Sequence, residues 1–206
     1  MNTVSYGCTR KNLILVHLAY FRYLSTSQIA ALRFRSVYGL NKCRRIMCNM
    51  FKHGKVKRFR ESSHGEYIYH LERRTQGWQS ILALNKFYFS IVAKGKVLLY
   101  QPEMEFFSGR CDGFFVAEYE GKRKKFFVEV DRATAPFKKA DIYNALLQTG
   151  WETEPWADPL KNGVISFPLI VVLTIRKEIV QKDFMKAEFK YFILDLYEPK
   201  WEKIFI

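Results

Sequence analysis

Cysteine is scarce in this chain, and the four present, Cys8, Cys43, Cys48 and Cys111, make no CxxC pair. That spacing excludes the dense disulfide framework of small secreted domains and the commonest zinc-ribbon pattern. Cys43, Cys48 and His53 are separated by steps of five, which on a helix turn each residue by about 140° and scatter them over different faces rather than around one zinc ion. Histidine stops early: His17, His53, His64 and His70 are the whole set. No later segment therefore has a histidine for general-base work. Long apolar runs are missing too. The longest, Val164 to Ile175, is interrupted by Ser166, Pro168 and Thr174 and falls well short of the roughly 20 residues a bilayer requires. It reads as a buried strand, so no membrane partner is expected. The amino terminus shows no charged, apolar and small-residue signal pattern, and the expectation is a reduced, cytoplasmic protein.

The most informative shortage is of acids. Up to Thr75 there are 15 Lys and Arg against 3 Asp and Glu, whereas the remainder carries 19 against 17. Nearly all of the formal +14 charge therefore sits in the first third. A polyanion relieves such self-repulsion through phosphate contacts and counterion release.

The order of elements in that third has its own logic. Leu13, Ile14, Val16, Leu18, Phe21 and Leu24 fit a buried helix over 11–24. Ser25, Thr26 or Ser27 can cap a second, short helix carrying Ile29, Ala30 and Leu32 and ending at Arg33 and Arg35. A third spans about Leu40 to Lys52 and stops at Gly54. Around it, Leu40, Cys43, Ile46, Met47, Met50 and Phe51 fill one arc. Asn41, Lys42, Arg44, Arg45, Asn49 and Lys52 fill the other, without a single acid. Asn and Arg are the side chains that make paired hydrogen bonds to adenine and guanine edges in a major groove, so this is read as a recognition helix. Strand-like Lys55 to Arg60 and Tyr67 to Leu71 then form a hairpin, whose Lys57, Arg58 and Arg60 suit the phosphate backbone. The expectation is a winged helix-turn-helix over residues 1–77 with double-stranded DNA as partner. RNA is disfavoured, because neither an aromatic RNP-type signature nor a GxxG loop is present.

Residues 78–206 read as a second, α/β domain around a mixed sheet, giving an α+β protein overall. A helix starts near Gln76. Strands are expected at Val97–Tyr100, Asp112–Tyr119, Lys125–Asp131, Val164–Thr174 and Tyr191–Leu196, with helices at Lys138–Gln148 and Arg176–Lys190. Alternation puts Phe127, Glu129 and Asp131 on one face, the two carboxylates roughly 7 Å apart along the strand. Asp112 opens the neighbouring strand. Three acids among apolar neighbours call for a cation, and their oxygens suit Mg²⁺ or Mn²⁺. Ion pairs to Arg110 and Arg132 are the bland alternative. Trp151 and Trp156 read as packing residues rather than platforms for stacked bases.

Arg110-Cys111-Asp112-Gly113, the run from Phe127 to Thr134, and Tyr67 to Leu71 with Thr75 and Gly77 resemble the replication-relaxation family of bacterial plasmids and phages. The resemblance spans most of the chain. It implies an amino-terminal winged helix joined to a restriction-endonuclease-like domain of the PD-(D/E)xK kind, acting in replication and DNA relaxation. By that resemblance Asp112 is the nuclease aspartate, with Cys111 in place of the usual proline, and Glu129 is the second metal ligand. Asp131 departs from the pattern, standing where the family of nucleases has lysine. Lys139, four residues before Tyr143 on the next helix, is a candidate replacement, with Lys138 behind it, and Glu103 or Glu105 is a candidate further acid. The catalytic set expected is Asp112, Glu129, Asp131 and Lys139, with the three acids as metal ligands. Whether the domain nicks DNA is left open, as is a homodimer. The competing expectation is a transcriptional regulator whose inactive nuclease-like domain serves dimerisation or partner binding.

Overall fold

The computed structural model describes residues 9–34, 36–154, 156–157 and 166–206. Cys8, Arg35 and the Val164 end of the expected strand lie outside the described residues. The chain divides into two compact units, Met1–Asn85 and Lys86–Ile206. The division falls inside a helix rather than before it, at 77/78, where the sequence was divided.

In the first unit, α1 (Arg10–Phe21) starts where the Thr9 hydroxyl accepts the Asn12 N–H and buries Ile14, Leu18 and Phe21 at helical spacing. It ends earlier than the apolar pattern implied. Arg22 turns left-handed (φ 62°), and Leu24 belongs instead to a two-residue strand, β1 (Leu24–Ser25). Ser25 then caps α2 (Thr26–Arg33) in a reciprocal box with Gln28, satisfying two backbone donors that a helix start leaves orphaned. Next comes α3 (Gly39–Lys52), which buries Cys43, Met47 and Met50. Only glycine fits its first position, because a Cβ on Gly39 would lie 1.8 Å from the Phe34 carbonyl oxygen. β2 (Lys57–Arg60) and β3 (Tyr67–His70) form an antiparallel hairpin, and β1 pairs with β3 to give the order β1-β3-β2. Asn85 closes the unit by donating to the Phe21 and Tyr23 carbonyls at 2.9 and 2.7 Å.

Asn85 lies on α4 (Trp78–Lys94), whose later residues belong to the second unit. There β4 (Lys96–Pro102) leads through a small hairpin, β5 (Glu105–Phe106) and β6 (Gly109–Arg110), into β7 (Gly113–Tyr119) and β8 (Lys122–Asp131). The turn between β7 and β8 uses left-handed Glu120 and Gly121, φ 49° and 75°. After α5 (Ala140–Gln148) come β9 (Leu169–Thr174), α6 (Lys177–Phe184) and β10 (Tyr191–Asp195). The sheet order is β10-β9-β8-β7-β4, parallel across β10, β9 and β8 and antiparallel across β8, β7 and β4. This is the mixed sheet of an α+β protein, with six α-helices among the described residues.

Alternation along the central strands sorts the two faces. Phe115 and Phe126 pack with Phe87 of α4 on one side. Phe114 and Phe127 pack with Trp156 on the other, where Phe127 also stacks on Tyr143 of α5. Glu129 shares the Phe127 face.

Candidate functional site

The first unit presents a basic face. Asn41, Lys42, Arg44, Arg45, Asn49 and Lys52 are all exposed on α3, and Arg44 Nη1 donates to Asn41 Oδ1 at 3.3 Å. Phe51, assigned to the apolar arc, is 38% exposed. Its ring instead supports Arg58, whose guanidinium lies 4.1 Å from the Phe51 centroid and 4.0 Å from that of Tyr67. Arg58 is thus half-buried between helix and hairpin, holding one to the other through cation–π contacts. Lys57 and Arg60 remain exposed on β2. A groove of about 420 Å³ between α3 and the hairpin is lined by Arg44, Arg58, Arg60, His64, Glu66 and Tyr67 among others.

In the second unit, two carboxylates meet at the end of the β7–β8 pair. Asp112 immediately precedes β7, and its Oδ2 accepts the Val130 N–H at 2.7 Å. Glu129, 2% exposed, accepts through Oε1 from the Tyr143 hydroxyl at 2.6 Å and pairs with Lys139 Nζ at 3.0 Å. Lys139 Nζ also donates to the Arg110 carbonyl at 3.2 Å. Burial, with the negative charge of Asp112 added, pushes the Glu129 carboxyl up to about 7, despite opposing help from Lys139 and Tyr143. Asp112 moves the same way, again through burial first, with the Glu103 carboxylate contributing and the Val130 N–H and Lys139 opposing. Glu103 is therefore the upstream acid whose charge Asp112 feels. Glu105 sits exposed on β5, in register with Arg110. Buried Cys111 has its thiol raised by burial and by both carboxylates.

Asp131 does not join them, which corrects the three-acid cluster drawn from strand alternation. Its carboxylate is gripped by Arg176, through Nε to Oδ2 at 3.1 Å and Nη2 to Oδ1, and by the Thr174 hydroxyl at 2.7 Å. Burial opposes ionisation there, but the Arg176 and Thr174 hydrogen bonds outweigh it and hold the carboxyl below its ordinary value. Among the described residues no three His, Cys, Asp or Glu side chains gather as a metal-holding group. Arg176, placed by sequence inside a helix, lies just before α6 and acts on Asp131 from the end of the parallel neighbour strand.

Lys139 is brought to Glu129 by its place at the start of α5. Asp183 of α6 accepts the backbone N–H groups of Lys139 and Ala140 at 2.9 and 3.1 Å, a carboxylate at a helix start where the dipole favours it. Asp183 was not singled out in the sequence; an acid 44 residues away has no local signal. Lys138, the alternative lysine, is exposed.

Asp112 and Glu129 each commit one oxygen to a protein donor, and no hydrogen bond among the described residues takes the other. Two hard oxygen donors whose charges repel fit Mg²⁺ or Mn²⁺. No helix among the described residues is long and apolar enough to cross a membrane. Compared with family models, curated proteins and solved structures, the chain finds no match in any of the three.

Proposed function

We propose that this chain is a DNA-binding protein of a plasmid, phage or other mobile element, acting in replication or DNA relaxation. In this reading its first unit is a winged helix and its second a PD-(D/E)xK nuclease-like domain that nicks DNA with a divalent cation. The observation that carries the second half is the Lys139–Glu129 contact at 3.0 Å. It supports a lysine supplied from α5 in place of the one missing at Asp131. The first half is supported by the order α1, β1, α2, α3 and hairpin and by the exposed, acid-free polar face of α3, which suits a major groove.

The chemistry follows from the donors. Asp112 and Glu129 are the residues that would hold Mg²⁺ or Mn²⁺, which when bound would polarise a phosphoryl oxygen and lower the pKa of an attacking water. Lys139 has 26% of its side chain exposed, so its ammonium can reach a phosphate oxygen and stabilise charge building there. The Tyr143 hydroxyl orients Glu129. Arg176 cancels Asp131, which would otherwise repel the phosphate backbone.

Supercoiled plasmid incubated with the full chain and Mn²⁺ should convert to the open-circular form. Asp112→Asn and Lys139→Met should each lower the rate at least a hundredfold while leaving duplex binding intact. Tight, site-specific binding with no nicking in any divalent cation would replace this reading with a transcriptional regulator.

A further inference from the structure

At the opposite end of β8 from Glu129 lies a second arrangement that the proposed nicking chemistry does not use. Lys125, Phe127 and Glu129 alternate onto one face of the strand, which puts Lys125 about 13 Å from Glu129 at roughly 3.3 Å per residue. Lys125 is 2% exposed, and its Nζ has no hydrogen-bond partner among the described residues. What surrounds it is aromatic. The Nζ lies 5.1 Å from the Trp151 ring centroid and 5.8 Å from that of Trp156, two rings stacked 6.1 Å apart at 13°. Lys125 also lines a groove of about 480 Å³, with Phe167, Leu169, Phe189, Arg123 and Lys190 among its other walls. That volume falls within the roughly 300–1,000 Å³ of small-molecule sites.

A buried ammonium with three unsatisfied donors is a costly feature. The tryptophan faces return part of the cost through cation–π attraction, but they accept no conventional hydrogen bond. Burial accordingly lowers the pKa of the Lys125 amine. Lys124, the preceding residue, also borders the groove, but its ammonium is committed to the Ile204 carbonyl at 2.7 Å. The Nζ is covered by the two tryptophans, which are not among the groove's walls, so an anion in the groove would gain Lys125 as a donor by drawing its ammonium off those rings. At the rim Lys190 and Arg123 outweigh the single carboxylate of Glu188. The apolar walls, Phe167, Leu169 and Phe189, suit a planar body attached to that anion.

We propose that this groove binds a phosphate monoester carrying a nucleobase, its phosphate on Lys125 and its base against the apolar wall. The ligand is either a free nucleotide or the 5′-phosphorylated end of a nucleic-acid strand. The site is independent of the Asp112–Glu129 pair, and its test does not depend on nicking.

The test titrates the full chain, in EDTA, with AMP, adenosine, inorganic phosphate and a deoxyadenosine dinucleotide with or without a 5′-phosphate, by calorimetry and tryptophan fluorescence. AMP should bind saturably and quench fluorescence. Adenosine should bind at least tenfold more weakly, because the Lys125 contact is lost, and inorganic phosphate likewise, because the wall contact is lost. Lys125→Met, similar in length but uncharged, should weaken AMP at least tenfold while leaving the melting temperature of the free protein unchanged or raised. Trp151→Phe keeps an aromatic face and should retain AMP binding with a smaller fluorescence change. A dinucleotide that binds more tightly than AMP only when 5′-phosphorylated identifies a strand end as the source; the reverse order identifies the free nucleotide. Absence of saturable AMP and phosphorylated-dinucleotide binding up to millimolar concentration overturns the proposal. So does equal binding of AMP by wild type and Lys125→Met, or equal binding of AMP and adenosine.

Discussion

Replacing Glu129 by glutamine should change how stability depends on pH, in a direction set by the raised carboxyl. In the folded chain this group titrates at about 7, against an ordinary 4.5. The folded state therefore binds the proton more tightly than the unfolded state does. The stability gained from this is complete below about 4.5 and is lost as pH rises through about 7. The gap corresponds to about 3 kcal/mol, and full burial means that solvent screening removes little of it. The glutamine amide keeps an oxygen for the Tyr143 hydroxyl but has no proton to lose. Between about pH 5 and pH 8.5, in EDTA, wild type should thus lose about 3 kcal/mol relative to Glu129→Gln. For a chain of this size that is about 6–12 °C of melting temperature. Asp112 is raised in the same direction, by burial first, but it is present in both proteins and cancels in the difference. His17 and His70 have lowered pKa values, through burial first, so they favour folding as pH rises, but they do so in both proteins and cancel in the difference. Asp131, held low, stays ionised throughout this window. Scanning calorimetry of both proteins across the window is sufficient. Parallel melting curves across that range, or a variant that loses stability faster than wild type at high pH, would refute the assignment of Glu129 as a carboxyl protonated near neutrality.

Further outcomes are expected from the same geometry. Residues 1–85 alone should bind duplex DNA with log affinity falling against log salt at a slope of roughly −5, as for about five or six neutralised phosphates; filter binding that shows a slope near zero contradicts it. Arg45→Ala and Asn49→Ala should each cost about 1–3 kcal/mol on a preferred site selected from random duplexes, whereas Lys57→Ala should weaken all duplexes alike. Arg176→Met should shift acid unfolding to higher pH, because Asp131 then loses the hydrogen bonds that keep it ionised; an unchanged acid midpoint counts against that pairing. Asp183→Ala should reduce nicking while sparing DNA binding, since it frees the start of α5 that carries Lys139, and an unaffected rate would show that Lys139 needs no such anchor.

Much of this was legible in the sequence because it is local. The six exposed polar residues of α3 follow directly from apolar spacing, and the nearness of Lys139 to the acids was approachable because Lys139 and Tyr143 lie one turn apart at the start of α5. What alternation could not supply was the partner. It gives Asp131 the same face as Glu129 but says nothing of Arg176, 45 residues later, arriving from the end of β9. The packing of Arg58 was hidden for the same reason: as a charge on a hairpin it reads as a phosphate contact, and its stacking against Phe51 of α3 and Tyr67 of β3 has no local signal. β1, β5 and β6, two residues each, are too short for any periodicity to register, and their existence depends wholly on the strands they pair with.

The exchange of charges around β8 has a consequence for how proton and cation share the site. Asp112, Glu129 and Asp131 bring three negative charges, Lys139 and Arg176 two positive ones, so the ionised set carries −1. Arg176 commits its charge to Asp131, leaving Lys139, helped at Asp112 by the charge of Arg110, against the Asp112–Glu129 pair. At neutral pH that remaining imbalance is relieved by a proton on Glu129, which is why burial and Asp112 together raise it so far. In the proposed reading, a divalent cation held by Asp112 and Glu129 would relieve the same imbalance and compete with that proton. Lys139 would then be available to a phosphate oxygen. On that reading a proton on Glu129 and a divalent cation are alternatives at one site, so cation binding near neutral pH should release a proton.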